Sequence, residues 1–132
     1  MKKLIFLLLL LSPVFIIAQP FGSLNIFSEN GDKFYVYLDG KKQNEIARSN
    51  IRIEKLPDLF YAAKIVFEDH SIPTISKNNL YVSDENDVPG DATYKIRKDK
   101  DGKAKLNFYA MNAVQQQYRR GADVFIFQYD NP

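Results

Sequence analysis

Glu29-Asn30-Gly31-Asp32-Lys33-Phe34-Tyr35-Val36-Tyr37-Leu38-Asp39-Gly40 reads as a turn, a strand and a second turn. Successive side chains of a strand point to opposite faces, so Phe34, Val36 and Leu38 share one face and Tyr35 and Tyr37 the other. Asn-Gly is the strongest short hairpin signal, because both residues accept the positive φ that a two-residue turn demands. Ahead of it Leu24-Asn25-Ile26-Phe27 alternates, so the two runs are expected to form a hairpin. Asp39-Gly40 ends the strand.

The same grammar extends outward to both ends. Ile51-Arg52-Ile53-Glu54 alternates, with Arg52 and Glu54 expected to face water. Pro57-Asp58 turns the chain into Tyr61-Ala62-Ala63-Lys64-Ile65-Val66-Phe67-Glu68. A helix can be drawn through that run, but its Tyr, Ile, Val and Phe content and the missing cap favour a strand. Tyr61, Ala63, Ile65 and Phe67 then face the core. Ile72-Pro73-Thr74-Ile75 reads as an edge, since Pro cannot donate to a ladder. Leu80-Tyr81-Val82 is a short run before an acidic loop, Asp84 to Asp91. Thr93-Tyr94-Lys95-Ile96-Arg97 and Leu106-Asn107-Phe108-Tyr109 form a hairpin about the turn Asp99-Lys100-Asp101-Gly102. Asn112 to Gly121 reads as a helix or a loop, and Val124-Phe125-Ile126-Phe127 as a closing strand. Short strands separated by turn residues specify an all-β sandwich or barrel of about seven to eight antiparallel strands.

The first eighteen residues have a different character. Lys2 and Lys3 precede an apolar run from Leu4 to Leu11, Ser12-Pro13 interrupts it, and Ala18 stands before Gln19-Pro20. A basic start, a short apolar core and a small residue at the cut make a secretory signal peptide over 1–18. The run is too short to span a bilayer, which takes about 20 apolar residues. The expected mature chain, residues 19–132, is then one β-sandwich domain with no transmembrane span, placed in the periplasm, at the outer membrane surface or in the medium.

Without Lys2 and Lys3, the 18 Lys and Arg fall to 16, matching the 16 Asp and Glu. A formally neutral chain lacks the charge excess that nucleic-acid binding needs, so no nucleic-acid partner is expected. There is no Cys, which rules out disulfides, thiolate metal sites and a Cys nucleophile. Ten Phe and eight Tyr supply the bulk of the core.

Three stretches, in order, resemble a known module. Phe34 to Lys41 ends a strand in Asp-Gly, Asn50 to Leu56 supplies a short strand, and Tyr61 to Asp69 has the Tyr-x-x-Lys-Ile form. With Thr93-Tyr94-Lys95-Ile96 later, residues 23–109 resemble a PEGA-type module, the front β-module of exported bacterial proteins that often end in a helical domain. The resemblance implies a single immunoglobulin-like β-sandwich at the cell envelope and brings no catalytic residues. A glycine usual before Tyr61, and the helical domain, are missing from this chain.

Four features carry candidate chemistry. The Asp84-Glu85-Asn86-Asp87 loop is oxygen-rich but fails the EF-hand pattern, with Val88 and Pro89 in ligand and glycine positions and Lys95 in place of the closing Glu. His70, the only histidine, lies beside Glu68 and Asp69, and no nucleophile motif accompanies it. No enzyme, cofactor or metal is expected. Lys95, Arg97, Lys98, Lys100, Lys103 and Lys105 share one hairpin and could meet anionic headgroups or acidic glycans. Phe125, Phe127 and Tyr129 oppose Val124 and Ile126, so the last strand is apolar on both faces; it closes its own sandwich or adds to a partner's edge. The expected contact surface is therefore Tyr35 and Tyr37, Lys95 and Arg97, and Phe125 and Phe127. The function expected is a non-catalytic envelope module binding an envelope protein, with glycan or anionic-surface binding, or service as an accessory subunit of an envelope enzyme, as alternatives.

Overall fold

The computed structural model describes residues 21–114 and the backbone of residues 125–128. The expected signal peptide, most of the Asn112–Gly121 segment, Val124 and Tyr129 lie outside the described residues; Asn112 itself ends a strand. Nine strands occur among them: β1 Gly22–Ser28, β2 Phe34–Leu38, β3 Lys41–Lys42, β4 Asn50–Leu56, β5 Phe60–Phe67, β6 Ile75–Tyr81, β7 Asp91–Lys98, β8 Ala104–Asn112 and β9 Phe125–Gln128. They form two sheets, ordered β8-β7-β1-β4-β9 and β3-β2-β5-β6. The protein is an all-β sandwich.

The period-two pattern decides what the sandwich buries. Leu24, Ile26, Ile51, Ile53, Tyr94 and Ile96 from one sheet meet Phe34, Val36, Leu38, Tyr61, Ile65 and Phe67 from the other. Tyr61 keeps its hydroxyl satisfied by accepting from the Asp58 amide at 2.9 Å. The strand reading of residues 61–68 holds, with Lys64 and Glu68 outside.

Three expectations are corrected. Asn30-Gly31 does not close a hairpin, for β1 and β2 belong to different sheets. The turn instead carries the chain across the sandwich. Gly31 takes φ +80°, while the end of β1 bonds elsewhere, Ser28 N to Ser49 O at 2.8 Å and Glu29 N to Ile96 O at 2.9 Å. The true two-residue hairpin is at Asp39-Gly40, both at positive φ (49° and 82°), joining β2 to β3. Second, the sandwich is not purely antiparallel: β1 runs parallel to β7, and β4 to β9. Both connections pass through strands of the other sheet, and parallel neighbours need such a crossover rather than a hairpin. Third, Arg52 does not face water. It is fully buried, on the face of the five-stranded sheet opposite Ile51 and Ile53.

Two local devices keep the strands in place. Asn44 is buried beside β2, where its Oδ1 accepts from Val36 N at 2.8 Å and its Nδ2 donates to the carbonyls of Phe34 at 3.0 Å and Ile46 at 2.9 Å. One side chain thus acts as a stretch of neighbouring strand. On β4, Lys55 sits at φ +63° where the pairing with β1 slips between Gly22 and Leu24. The bulge resets the alternation, so that Leu56, rather than residue 55, joins Ile51 and Ile53 in the core.

Candidate functional site

β6 and β8 are the edge strands of the two sheets along one side of the sandwich among the described residues. They approach within 8 Å between Cα atoms without pairing, leaving a seam. β7 and β8 form the expected hairpin, and its tip is built by Asp99, whose Oδ1 accepts from the amides of Asp101 at 3.0 Å and Lys103 at 2.9 Å. The Lys103 amide, with that of Asp101, holds the Asp99 carboxyl below its ordinary 3.8. The expected edge at Ile72 to Ile75 and the run at Leu80-Tyr81 merge into the single edge strand β6, with Pro73 just ahead of it.

β8 is an unusual edge. Natural sheets guard their edges with charge, proline or shortness. Lys103 and Lys105 guard its start, but Leu106-Asn107-Phe108-Tyr109-Ala110-Met111 carries no charge. Phe108 and Tyr109 are 56% and 61% exposed. The two rings lie on opposite sides of the strand, as its alternation requires, and a bulge at Tyr109 shifts the pairing from Tyr94–Phe108 to Thr93–Ala110. Tyr109 meets Phe27 edge-on at 5.7 Å, with Lys95 Nζ 5.2 Å from its ring. Phe108 meets Tyr94 edge-on at 5.6 Å, over the seam.

The seam holds two open cavities. The larger, about 790 Å³, has Tyr94, Phe108, Met111 and Tyr81 as its apolar wall and Asp84, Glu85 and Asp87 on its rim. Burial raises the Tyr94 phenol above its ordinary 10.0, and its hydroxyl donates to the Tyr81 carbonyl at 2.7 Å, tying β7 to β6 across the cavity floor. The acidic loop is preorganised by Asp84, whose Oδ1 accepts from Asn86 N at 2.9 Å and Val88 N at 3.0 Å. Gly90 lets Met111 close in: a Cβ there would lie 2.7 Å from Met111 Sδ and 3.1 Å from the Asn112 carbonyl. The smaller cavity, about 420 Å³, lies between the starts of β6 and β8 and is bordered by Lys77, Lys103 and Lys105. Lys77 borders both, so the two form one groove, acidic at one end and basic at the other.

The surface expected from the sequence falls into three separate places. Tyr35 and Tyr37 do stand on the outer face of β2, half-buried, with Lys42 Nζ 4.2 Å from one ring centroid and Lys64 Nζ 4.8 Å from the other. Lys95 and Arg97 lie on the far sheet, at 4.0 Å and 3.9 Å from the carboxylate of Glu29. Lys98 pairs with Asp32 at 3.2 Å and Lys105 with Asp99 at 3.8 Å, so much of the basic hairpin faces carboxylates. Phe125 and Phe127 pair through their backbones with Ile51 and Ile53, which seats β9 beside β4 of its own chain. His70 stands in an exposed turn after β5, and Asp69 beside it accepts from both the amide and the hydroxyl of Ser71.

No single segment of the sequence announces the groove. Leu106 to Tyr109 is legible as a hairpin strand, but nothing local says that its second side has no partner strand among the described residues. No family model matches the chain, and neither a curated protein nor a solved structure matches it.

Proposed function

We propose that this chain is an exported, non-catalytic binding module of the cell envelope that takes a partner protein along the edge of β8 that no strand among the described residues pairs. One observation carries the reading: a nine-residue edge strand, uncharged from Leu106 to Met111 and bearing exposed aromatics, borders a groove. Such an edge offers unpaired N–H and C=O groups to an added strand, and the groove offers pockets for its alternate side chains. Export is supported by Lys2, Lys3 and the apolar run behind them, with the periplasm, outer membrane surface or medium as destination. The PEGA-type likeness belongs to the same proposal, supported by Asp39-Gly40 closing β2 and by the Tyr61 strand in the core.

Protein is favoured over glycan on geometry. Sugar rings stack on aromatic faces presented side by side, whereas Phe60–Tyr81, Tyr94–Phe108 and Phe27–Tyr109 meet at 46°, 79° and 87°. The carboxylates opposite Lys95, Arg97 and Lys98 weigh against an anionic surface in the same way.

A photoreactive amino acid at position 109 tests the proposal in intact cells. It is expected to give a discrete protein adduct that disappears with Phe108→Lys, while the same probe at position 41, on the β2–β3 hairpin, gives none. Equal labelling from both positions, or an adduct indifferent to Phe108→Lys, removes the β8 edge as the contact.

A further inference from the structure

The groove has a direction as well as a shape. β6 and β8 both run from its basic end to its acidic end: the small cavity borders Ile75 and Ala104 near their starts, and the large one borders Tyr81 and Met111 near their ends. A strand added antiparallel to β8, the slightly stronger pairing, therefore begins beside Glu85 and Asp87 and finishes beside Lys103 and Lys105. About six residues separate the ends, since Lys105 to Met111 spans roughly 20 Å at 3.3 Å per residue.

Resting on the β8-edge reading, we propose that the groove takes an extended peptide segment running antiparallel to β8, with a basic residue at its start, an acidic residue about six positions later and apolar side chains between. At the acidic end Glu85 and Asp87 are exposed and project from a loop whose shape Asp84 holds. Phe108, more than half exposed beside them, gives the stem of a lysine or arginine an apolar bed and its charge an aromatic face. At the basic end Lys77, Lys103 and Lys105 border the cavity and no carboxylate does. Asp99, 3.8 Å from Lys105, offsets part of that charge. In between, Leu106 and Tyr94 back the seam from below, Asn79 and Asn107 border it with amides, and Lys77 reaches it from β6 as the one charged group at the junction of the two cavities.

The test uses two capped seven-residue peptides of alternating valine and threonine, one with lysine first and glutamate last, the other with the two exchanged. Fluorescence anisotropy on the purified exported chain is expected to show the lysine-first peptide binding about tenfold more tightly, because each exposed charge pair is gained in one order and becomes a repulsion in the other. The preference should shrink in salt, the screening length being about 10 Å at 0.1 M. A Glu85→Lys, Asp87→Lys, Lys103→Glu, Lys105→Glu variant, altering exposed positions only, should prefer the glutamate-first peptide. If both peptides bind alike and both are lost with Phe108→Lys, the polarity is wrong and the edge reading stands. Binding of both that survives Phe108→Lys, or concentration-dependent dimers that exclude peptide, overturns the proposal; the first of these also overturns the edge reading, and the second names another copy of this chain as the occupant.

Discussion

Arg52 on β4 places its Nη1 2.9 Å and 3.0 Å from the two carboxylate oxygens of Asp91 on β7, two strands away. Asn25 on the intervening β1 bridges them, accepting from Arg52 Nη1 at 2.9 Å and donating to Asp91 Oδ1 at 2.6 Å. Glu54 adds a second carboxylate 3.5 Å from Arg52 Nε. The cluster ties three strands of one sheet together on the face away from the core. Both charges of the central pair are buried, so each depends on the other.

Asp91→Ala removes the nearer of the two carboxylates beside the buried guanidinium, which keeps Asn25 and Glu54. Removing one partner of a buried pair costs about 3–5 kcal/mol, a large share of the roughly 5–15 kcal/mol that holds a domain of this size. The urea midpoint should fall accordingly, and replacing both residues together, as Arg52→Met with Asp91→Leu, should recover most of the loss. An unchanged midpoint in Asp91→Ala would show that Arg52 does not rely on it.

Asn44→Ala should cost about 2–4 kcal/mol, because it leaves the Val36 amide and the Phe34 and Ile46 carbonyls without their partner. Asn44→Asp keeps the acceptor for Val36 but turns a carboxylate toward two carbonyls, and should be no better. Thermal melts of the two variants against the parent check both statements.

Lys55→Gly should change stability by no more than about 0.5–1 kcal/mol, since relief of the left-handed backbone is offset by the greater entropy that glycine loses on folding. Lys55→Val cannot take φ +63° comfortably and should destabilise by about 1–3 kcal/mol, either by strain or by sliding Leu56 out of the core. A normal midpoint for Lys55→Val would mean that the bulge is dispensable.

The hairpin tip should respond to acid. The Asp99 carboxyl is held below 3.8 by the Lys103 and Asp101 amides, so its folded value lies beneath its unfolded one. Its contribution is therefore present above pH 3.8 and fades as pH falls through the lower folded value. Amide exchange at Asp101 and Lys103 should accelerate only below that range, and Asp99→Ala should exchange fast at every pH. Early acceleration, near pH 5, would assign the change to another group.

Phe108→Lys should leave the melting temperature within about 2 °C, because an exposed surface position costs little. That separates its effect on binding from any effect on folding. By contrast Tyr94→Phe should lower stability by about 1 kcal/mol, through loss of the bond to the Tyr81 carbonyl.

The legible and illegible parts of the fold differ in range. Phe34, Val36 and Leu38 could be assigned to the core from one run of sequence, as could Tyr61, Ala63, Ile65 and Phe67, because alternation is a property of the strand itself. Asn30-Gly31 showed a turn correctly but not its destination: the same positive φ serves a hairpin or a crossing between sheets, and β1 chose β4 and β7 as neighbours. Arg52 alternates out of the core as expected, yet that outward face is buried, which no neighbouring residue announces. Among the site residues, alternation alone puts Tyr35 and Tyr37 on the outer face where they stand, whereas nothing in the hairpin strand marks Phe108 and Tyr109 as exposed at an edge. An edge strand and a central strand have the same local pattern when one face is buried.

Which residues make strands, which side of each strand enters the core, and where the turns fall were all settled by backbone preference and a period of two, acting over a few residues. Which strands pair, which edges stay open and which charges meet were settled by the packing of distant segments. Only the assembled sandwich brings residues 77–87 to within reach of residues 104–111, with Tyr94 between them, and so makes a polar-ended groove from stretches that are ordinary one by one. Alternation is enforced within a strand by covalent geometry, whereas an edge exists only in relation to the strand that is absent beside it.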